Sequence, residues 1–355
     1  MNRRSFVQSA AAVMSGLLAG CTDDTGGRTW LMPEEGEPHA RTWMAFAANE
    51  RIWGRDLAPR VKRDLATIAT TIARFEPVSM LVRADDLEQA RSLIGSANVE
   101  LVTAELDDLW MRDTGPVFVR ERGAVDFNFN GWGGKQEHRR DAKVAAFVAG
   151  RAGVERVRTD LVLEGGALEV DGQGTAIITE SCVLNGNRNR GWTKHDVEEE
   201  LARLLGIRKV IWLPGIAGQD ITDGHTDFYA RFAAPGVVVA GLDTDPESFD
   251  HDVTRRHLEI LRRATDAAGR SLRVEVLEGP SVVRVQDPDF AAGYVNFYVC
   301  DGAVIGPEFG DARADAAAKA TMERLFPGRT VVQINIDGIA SGGGGIHCAT
   351  QQEPR

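Results

Sequence analysis

Residues 341–352 of this chain read Ser-Gly-Gly-Gly-Gly-Ile-His-Cys-Ala-Thr-Gln-Gln, so a run of four glycines leads almost directly to Cys348. Glycine adopts backbone conformations that other residues avoid, and it lets a ligand approach the chain closely. Taken alone, this stretch allows two interpretations. It is either a loop that presents a nucleophilic cysteine or a flexible C-terminal tail that happens to contain a thiol.

The composition around this stretch is that of a globular protein. The 355 residues are 43% hydrophobic and 26% charged, which is sufficient for a substantial core. The formal net charge of -11 argues against nucleic acid or an anionic membrane surface as a partner. It is compatible with a small cationic substrate. The sequence makes no prediction about oligomeric state.

The N-terminus has the pattern of an export signal. Residues 2–8, Asn-Arg-Arg-Ser-Phe-Val-Gln, resemble a twin-arginine signal, and the apolar run that follows is too short to span a bilayer. Residues 18–21, Leu-Ala-Gly-Cys, resemble a lipobox in which Cys21 becomes lipidated. The alternative is an Ala-rich amphipathic helix in a cytoplasmic protein. We expect a signal peptide over residues 1–20, a tether over 21–29 and a single catalytic domain over 30–355. The protein would then be an anchored lipoprotein or otherwise extracytoplasmic, and only the lipid would bind the membrane.

The remaining cysteines do not form a pair or a metal motif. Cys182 and Cys300 lie in apolar runs, which predicts buried structural thiols. Cys348 lies among glycines and polar residues instead. His347 stands beside it, but no second close His/Cys pair exists in the sequence, so we predict no metal.

Short β-like runs alternate with helical patterns from residue 30 onward, which predicts a β-rich α/β fold. Neither a Gly-x-Gly-x-x-Gly motif after the first strand nor a phosphate-binding loop is present, so we predict no nucleotide cofactor. The predicted helices cover residues 61–73, 87–93, 142–152, 194–205 and, in large part, 246–268. The predicted strands cover residues 78–82, 99–102, 117–119, 125–129, 209–213, 237–240, 272–276 and 331–336.

Polar clusters follow predicted strands at four places: residues 107–116, 162–166, 220–227 and the Cys348 loop. Charged side chains next to Gly or Pro at strand ends are typical of a functional site. Each cluster also has an ordinary structural interpretation. Glu164 could stand in a plain turn, His225 could be a hydrogen-bonded core histidine, and Trp110 could simply pack. For Asp220 and Asp223 we expect solvent-exposed loop positions.

Together the clusters meet one chemical demand, which is attack of a thiol on a guanidinium carbon. Carboxylates can grip the planar N–H fork of a guanidinium, and Asp113 and Asp227 can supply them. His225 can protonate departing ammonia and then deprotonate water, while Glu164 can orient the imidazole. The bound cation itself would favour the thiolate of Cys348. Thiol attack on a guanidinium carbon requires neither a zinc ion nor an oxyanion hole.

Eight ordered motifs, collinear from about Met32 to Gln352, resemble the agmatine deiminase family of the bacterial-type peptidyl-arginine deiminase group, in the guanidino-group-modifying superfamily. The motifs are Met32-Pro-Glu-Glu-Gly-Glu-Pro-His39 with Trp43, Trp110-Met-Arg-Asp113-Thr-Gly-Pro116, Phe129-Asn-Gly-Trp132-Gly-Gly134, Leu163-Glu-Gly-Gly166, Leu184-Asn-Gly-Asn-Arg-Asn189, Gly224-His225-Thr-Asp227, Tyr294-Val-Asn-Phe-Tyr298 and the glycine run through Cys348 to Gln352.

The resemblance implies a five-fold pseudo-symmetric α/β propeller, a pentein-like fold of repeated ββαβ-type units with the site on its central axis. It also implies roles for particular residues. Cys348 matches the nucleophile and His225 the general acid/base. The remaining matches are the guanidinium-binding Asp113 and Asp227, Glu164 beside the histidine, the substrate-lining Trp110, and Gly344 in the glycine run that shapes the substrate passage.

Two departures from the family pattern concern the substrate. Family members usually have an aromatic residue where this chain has Gly36, which could reshape the entrance. The plant-like members have Asp-Thr-Asn before Gly-His, whereas this chain has Ile221-Thr-Asp223. This second change could move the negative charge that holds the far amine of the substrate.

The function we predict is hydrolysis of agmatine to N-carbamoylputrescine and ammonia through a cysteine thiouronium intermediate, as in putrescine and polyamine biosynthesis. One alternative is deimination of another guanidine, such as free or peptidyl arginine. A cysteine peptidase is a more distant alternative, because it needs an oxyanion hole and not two converging aspartates. An alternative of a different class is an exported lipoprotein that binds guanidines or polyamines.

Overall fold

The computed structural model describes residues 30–287 and 289–355. The predicted signal peptide, the tether and the lipidation site Cys21 lie outside the described residues. Within the described residues, no helix is both long enough and apolar enough to cross a membrane.

Sixteen strands in the described residues form five small sheets. Four sheets contain three strands each and share one connectivity: an antiparallel pair of consecutive strands, then a third strand parallel to the second. The strands are β1 His39–Phe46, β2 Val78–Val82, β3 Val99–Thr103, β4 Val117–Val119, β5 Gly123–Asp126, β6 Glu155–Arg158, β7 Leu168–Val170, β8 Thr175–Thr179, β9 Lys209–Leu213, β10 Ala230–Ala234, β11 Val237–Leu242, β12 Arg273–Glu278, β13 Tyr298–Cys300, β14 Ala303–Glu308, β15 Thr330–Asn335 and β16 Thr350–Pro354.

The helices account for the parallel pairs, because two parallel strands need a long crossover connection. A crossover helix separates the second and third strand of every unit. The helices are α1 Glu50–Ile72, α2 Leu87–Ile94, α3 Met111–Thr114, α4 Gly131–Gly134, α5 Val144–Ala152, α6 Glu180–Val183, α7 Lys194–Leu205, α8 His251–Arg263, α9 Ala312–Leu325 and α10 Asp337–Ala340.

The fifth sheet joins the two ends of the chain. Its order is β16-β1-β2-β3, with β16 antiparallel to β1 and with Thr42 opposite Gln352 and Met44 opposite Thr350. The last strand therefore completes the unit that the first strand begins, and the five repeats close on themselves. The prediction of a five-fold pseudo-symmetric α/β propeller of ββαβ-type units is confirmed.

Several element boundaries differ from the sequence prediction. Helix α7 and strand β9 coincide with it, and α7 has a capping box between Thr193 and Asp196. Helix α1 begins eleven residues earlier than residue 61, because Asn49 caps its first turn. Strand β5 ends at Asp126 and not at residue 129, since Asn128 has a positive φ of 56° and turns the chain.

The region predicted as helix over residues 246–268 is helical only over α8. Before α8, aspartate side chains accept hydrogen bonds from backbone N–H groups two residues further on: Asp245 N–H donates to Asp243 and Glu247 N–H donates to Asp245. Such local bonds compete with helix formation. The sequence prediction missed eight of the sixteen strands, the Ala-rich α9 and the four-residue helices α3, α4, α6 and α10.

Candidate active site

The loop that follows the outer parallel strand of each of the five sheets supplies a central side chain. The predicted Asp113 follows β3, Glu164 follows β6, His225 and Asp227 follow β9, and Cys348 follows β15. The loop after β12 supplies a further residue, Asn296, which we quoted within a motif but did not predict to act in the site. The repeated fold thus brings together side chains that are up to 235 residues apart in sequence.

Cys348 is buried, and its thiol faces polar partners. Sγ lies 3.4 Å from Asp227 Oδ2 and 3.3 Å from the amide nitrogen of Asn296. The Asn296 Oδ1 atom in turn accepts a hydrogen bond from the His347 backbone N–H at 3.0 Å, which holds the Cys348 loop against this side chain. Burial raises the pKa of Cys348 well above its usual value, and the negative charges of Asp227 and Asp113 raise it further.

His225 lies between two carboxylates. Nδ1 is 3.8 Å from Asp113 Oδ1 and Nε2 is 3.5 Å from Glu164 Oε2. These are charge contacts, because Nε2 makes no hydrogen bond to the described residues. Burial on its own lowers the pKa of His225, but the charge of Asp113 and the contacts with Cys182 and Glu164 outweigh it. The two carboxylates thus hold the pKa of His225 well above its usual value, which favours the imidazolium.

Glu164 is held by a buried arginine. Arg188 Nε lies 2.9 and 3.0 Å from the two carboxylate oxygens of Glu164, and the Cys182 thiol donates to Oε2 at 3.6 Å. Burial raises the pKa of Glu164, but the nearby His225 and Arg188 hold it below the usual value. Glu164 is therefore a fixed negative charge behind the imidazole.

The expectation that Asp223 is exposed is wrong, whereas Asp220 is exposed as predicted. Asp223 is 2% exposed and pairs with Arg188 at 2.9 Å and with Lys135 at 2.8 Å. It is buried because it compensates these two cations. Its charge is consequently not available to hold the amine of a substrate.

Hydrogen bonds from neighbouring side chains and from the backbone orient Asp113 and Asp227. Asp113 accepts from Trp132 Nε1 at 2.9 Å and from the Gly166 N–H at 3.1 Å. Asp227 Oδ2 lies 2.7 Å from His347 Nδ1, while Asp227 Oδ1 has no hydrogen-bond partner among the described residues. A buried carboxylate oxygen without a partner is costly, so Oδ1 is available for a donor that arrives from outside.

A cavity of about 810 Å³ leads from the surface to Cys348, His225 and Asp113. The rings of Trp110 and Trp53 pack 5.7 Å apart on its wall. A Cβ atom at Gly344 would lie 2.2 Å from the Trp110 ring, and one at Gly166 would lie 2.7 Å from His225 Nδ1. Only glycine lets these two backbones approach the site so closely.

The outer wall of the cavity is acidic. Its described lining includes no Lys or Arg, but it includes Asp220, Asp243, Glu247, Asp250 and Asp289. Gly36 is not among the residues that line this cavity, and its carbonyl accepts a hydrogen bond from Arg329. The expected effect of Gly36 on the entrance is therefore not located there.

Cys182 and Cys300 are buried, as predicted. The sequence did not indicate, however, that Cys182 would contact the site. Its Sγ lies with one atom each of Glu164 and His225 in a group that is compact enough to hold a metal ion. Arg188 already donates to both oxygens of Glu164, so a cation at this position would face the guanidinium. Cys182, Glu164 and Arg188 thus form a hydrogen-bonded group behind the imidazole of His225.

Comparison with known proteins places the chain in one family. The sequence profile of the Porphyromonas-type peptidyl-arginine deiminases matches residues 31–354. A Streptomyces coelicolor protein, named provisionally as an agmatine deiminase, is 43% identical over 92% of this chain and 99% of its own length. The agmatine deiminase of Pseudomonas aeruginosa is 38% identical, covering 91% of this chain and 95% of that protein. The structure of the agmatine deiminase of Enterococcus faecalis is similar with a TM-score of 0.87 and 32% identity, covering 92% of this chain and 96% of the other. The resemblance noted in the motifs is confirmed, and this chain belongs to the Porphyromonas-type peptidyl-arginine deiminase family.

Proposed function

We propose that this protein hydrolyses agmatine to N-carbamoylputrescine and ammonia through a covalent thiouronium at Cys348. The family membership and the agmatine deiminases among its relatives support a hydrolase of guanidino C–N bonds. The arrangement of five buried side chains, Cys348, His225, Glu164, Asp113 and Asp227, supports the same reaction.

One observation carries the proposal: the thiol of Cys348 lies 3.4 Å from the carboxylate of Asp227. A negative charge at this distance disfavours the thiolate, which is the reactive form. A cationic substrate reverses the effect, since it neutralises Asp227 and Asp113 and places a positive carbon next to sulfur. The site is suited to a nucleophile that a bound guanidinium activates.

The first half of the reaction replaces ammonia by sulfur. The thiol releases its proton to solvent when the cation binds, and the thiolate forms a bond to the guanidinium carbon, which gives a neutral tetrahedral adduct. The imidazolium of His225 donates its proton to one amino group. The carbon–nitrogen bond then breaks, and ammonia and a positively charged thiouronium result, with His225 left neutral.

The second half releases the product. Neutral His225 takes a proton from water, and the oxygen bonds to the thiouronium carbon. The carbon–sulfur bond then breaks with its electron pair on sulfur, which restores the Cys348 thiolate beside a protonated His225. The hydroxyl proton of the adduct passes to the released ammonia, so that the products are a neutral ureido group and ammonium. Glu164 stabilises the imidazolium in both halves.

The charge of the cavity favours agmatine over arginine. The two substrates differ in the tail, which ends in an amine alone in agmatine but also carries a carboxylate in arginine. The described wall offers carboxylates and no Lys or Arg with which a substrate carboxylate could pair. An amine tail therefore gains attraction where an amino-acid tail meets repulsion.

The test is a substrate panel with the purified, reduced protein: agmatine, arginine, arginine peptides and methylated arginine, read by ammonia release and by ureido product. Agmatine is expected to have the highest kcat/KM. Absence of turnover of every guanidine, in a folded protein with a free Cys348 thiol, would refute the proposed reaction. A preference for free or peptidyl arginine would support the alternative deiminase.

We further propose that the protein is exported by the twin-arginine route and anchored by a lipid on Cys21. The Arg3-Arg4 pair and the Leu-Ala-Gly-Cys21 motif support this proposal. The full-length protein, expressed with an alkyne fatty acid, should be labelled, and Cys21→Ala should remain unlabelled. Recovery of unprocessed protein, still carrying its first residues, would contradict the proposal.

A further inference from the structure

His347, the residue before the nucleophile, is buried and lies between two carboxylates. Its Nδ1 atom is 2.7 Å from Asp227 Oδ2 and its Nε2 atom is 2.9 Å from Glu35 Oε2. The side chain is 2% exposed, so water does not compete for either nitrogen. From sequence alone, the one role considered for His347 is that of a metal ligand.

Both contacts are hydrogen bonds only if both nitrogens carry a hydrogen, because an ionised carboxylate accepts and does not donate. A proton on either carboxylate is the alternative. Glu35 is a poor position for it, because Glu35 already accepts from Arg231 and from the Val299 N–H at 2.8 Å each and from Arg112 at 3.0 Å. Asp227 Oδ2 is a poor position too, because it already accepts from the Cys348 thiol at 3.4 Å, and a proton on Oδ1 would be a buried donor without a partner among the described residues.

We infer that His347 is a positioning residue whose two ring nitrogens both donate, one to Asp227 and one to Glu35, so that Asp227 stays ionised and its Oδ1 atom is free to grip the guanidinium. This inference rests on the proposed function and names a further residue that serves it. His347 differs in this respect from His225, which must gain and lose a proton in each turnover.

The surrounding charges explain why Asp227 depends on His347. The other buried cations near the ring have their own partners: Arg231 pairs with Glu35 and Glu169, and Arg112 pairs with Glu35 and donates to Gln352.

The remaining groups that face this part of the site are Cys348, Asp113 and His225, and only His225 among them can be positive. Burial on its own raises the pKa of Asp227. The hydrogen bond and the charge of His347 are the largest of the effects that hold this pKa below its usual value. Without His347, Asp227 would be a buried carboxylate with no direct cationic partner, and protonation would cancel its grip on the substrate.

The protonation state can be read without substrate or turnover. Besides the rings of His225 and His39, whose pKa values are raised, nitrogen-15 NMR of the protein labelled at histidine side chains should show at pH 7.5 a further ring, that of His347, with both nitrogens protonated. That signal should disappear in His347→Gln, while His195→Gln should leave it in place, because His195 lies exposed on α7 with 76% of its side chain accessible. A His347 ring with a bare nitrogen at pH 7.5 would overturn the inference.

The role in binding has a separate readout. Agmatine affinity is measured by calorimetry in a Cys348→Ser background, which cannot turn over, with His347→Gln or His195→Gln added. We expect affinity to fall roughly tenfold or more with His347→Gln, as expected for loss of a charge-assisted contact, and to stay unchanged with His195→Gln. Unchanged affinity in a folded His347→Gln protein would overturn the role.

If the His347→Gln protein does not fold, the NMR measurement on the wild-type protein still decides the protonation state. Binding without any turnover by the wild-type enzyme would refute the proposed reaction and leave the role of His347 intact. The two failures are therefore distinguishable.

Discussion

Asp227 Oδ2 lies 3.4 Å from Cys348 Sγ, so a buried carboxylate faces the thiol that is the proposed nucleophile. In the free protein this relationship disfavours the thiolate, because both burial and the negative charge raise the pKa of Cys348. In the proposed reaction the same carboxylate binds the guanidinium, so a low reactivity of the free thiol and its activation by substrate would have one structural origin.

Replacing Cys348 by Ser should abolish turnover and retain binding. The hydroxyl is a far weaker nucleophile than a thiolate, so we expect kcat to fall on the order of 10⁴-fold or more. Ammonia release measures the loss and calorimetry measures the retained affinity for agmatine. If the wild-type protein and the Ser variant bind agmatine equally but neither turns over, the protein is a guanidine-binding protein and not a deiminase.

Replacing Asp227 by Asn should change the reactivity of the thiol and the activity of the enzyme in opposite directions. Removal of the charge lowers the pKa of Cys348, so alkylation of Cys348 by iodoacetamide at pH 8 should become faster in the free protein. The kcat/KM for agmatine should fall on the order of 100-fold, since one of the two charged guanidinium contacts is lost. Slower alkylation together with lower activity would show that Asp227 does not suppress the thiolate. Identical measurements on Asp220→Asn, an exposed position, provide the comparison.

The pH profile of kcat/KM should be bell-shaped. The acidic limb arises because the thiol of Cys348 must lose a proton, and its pKa is raised in the free protein. The alkaline limb arises because His225 must be protonated to release ammonia. Its pKa is also raised, so the required imidazolium is present below that pKa and is lost as the pH rises through it. The two apparent values belong to the coupled groups together. A profile without an alkaline limb over the whole pH range in which the protein stays folded would exclude His225 as the acid.

Removing Arg188 should destabilise the fold strongly. The side chain is fully buried between Glu164 and Asp223, and its loss leaves two buried carboxylates with one cation fewer. We expect Arg188→Met to lower the free energy of unfolding by about 3–5 kcal/mol. Lys194→Met breaks the partly exposed pair with Glu180 and should cost at most about 1 kcal/mol. Urea unfolding at pH 7 measures both, and equal losses would contradict the argument from burial.

Adding one methyl group at Gly344 should impair the site without unfolding the protein. The new Cβ would lie 2.2 Å from the Trp110 ring, so the ring or the nucleophile loop must move. We expect kcat/KM for agmatine to fall roughly tenfold or more, because a displacement of this kind misaligns the reacting atoms. Gly150→Ala is the matched control, as a Cβ there meets nothing within 4 Å. Full activity in Gly344→Ala would show that the passage tolerates displacement of Trp110.

Much of the repeat could be predicted from local pattern, though not its symmetry. Helix α7 carries its own capping box and amphipathic pattern, and β9 is a continuous apolar run, so both are correct to the residue. Strands such as β7 and β13 have only three residues, which is too short for a periodic signal. The pairing of β16 with β1 joins residues more than 300 positions apart, and no local signal carries it.

The sequence by itself determined the chemistry of the candidate site, because a thiol, an imidazole and three carboxylates next to strand ends are the groups that guanidinium attack requires. The match of eight collinear motifs added the family and the fold. Only the tertiary structure decided the electrostatic surroundings of these groups: that Asp227 faces the Cys348 thiol, that Asp223 pairs with Arg188 and Lys135, and that His347 bridges two carboxylates. Charge–charge energies depend on distance and burial, and both are set by which loops the five closed units bring to the centre.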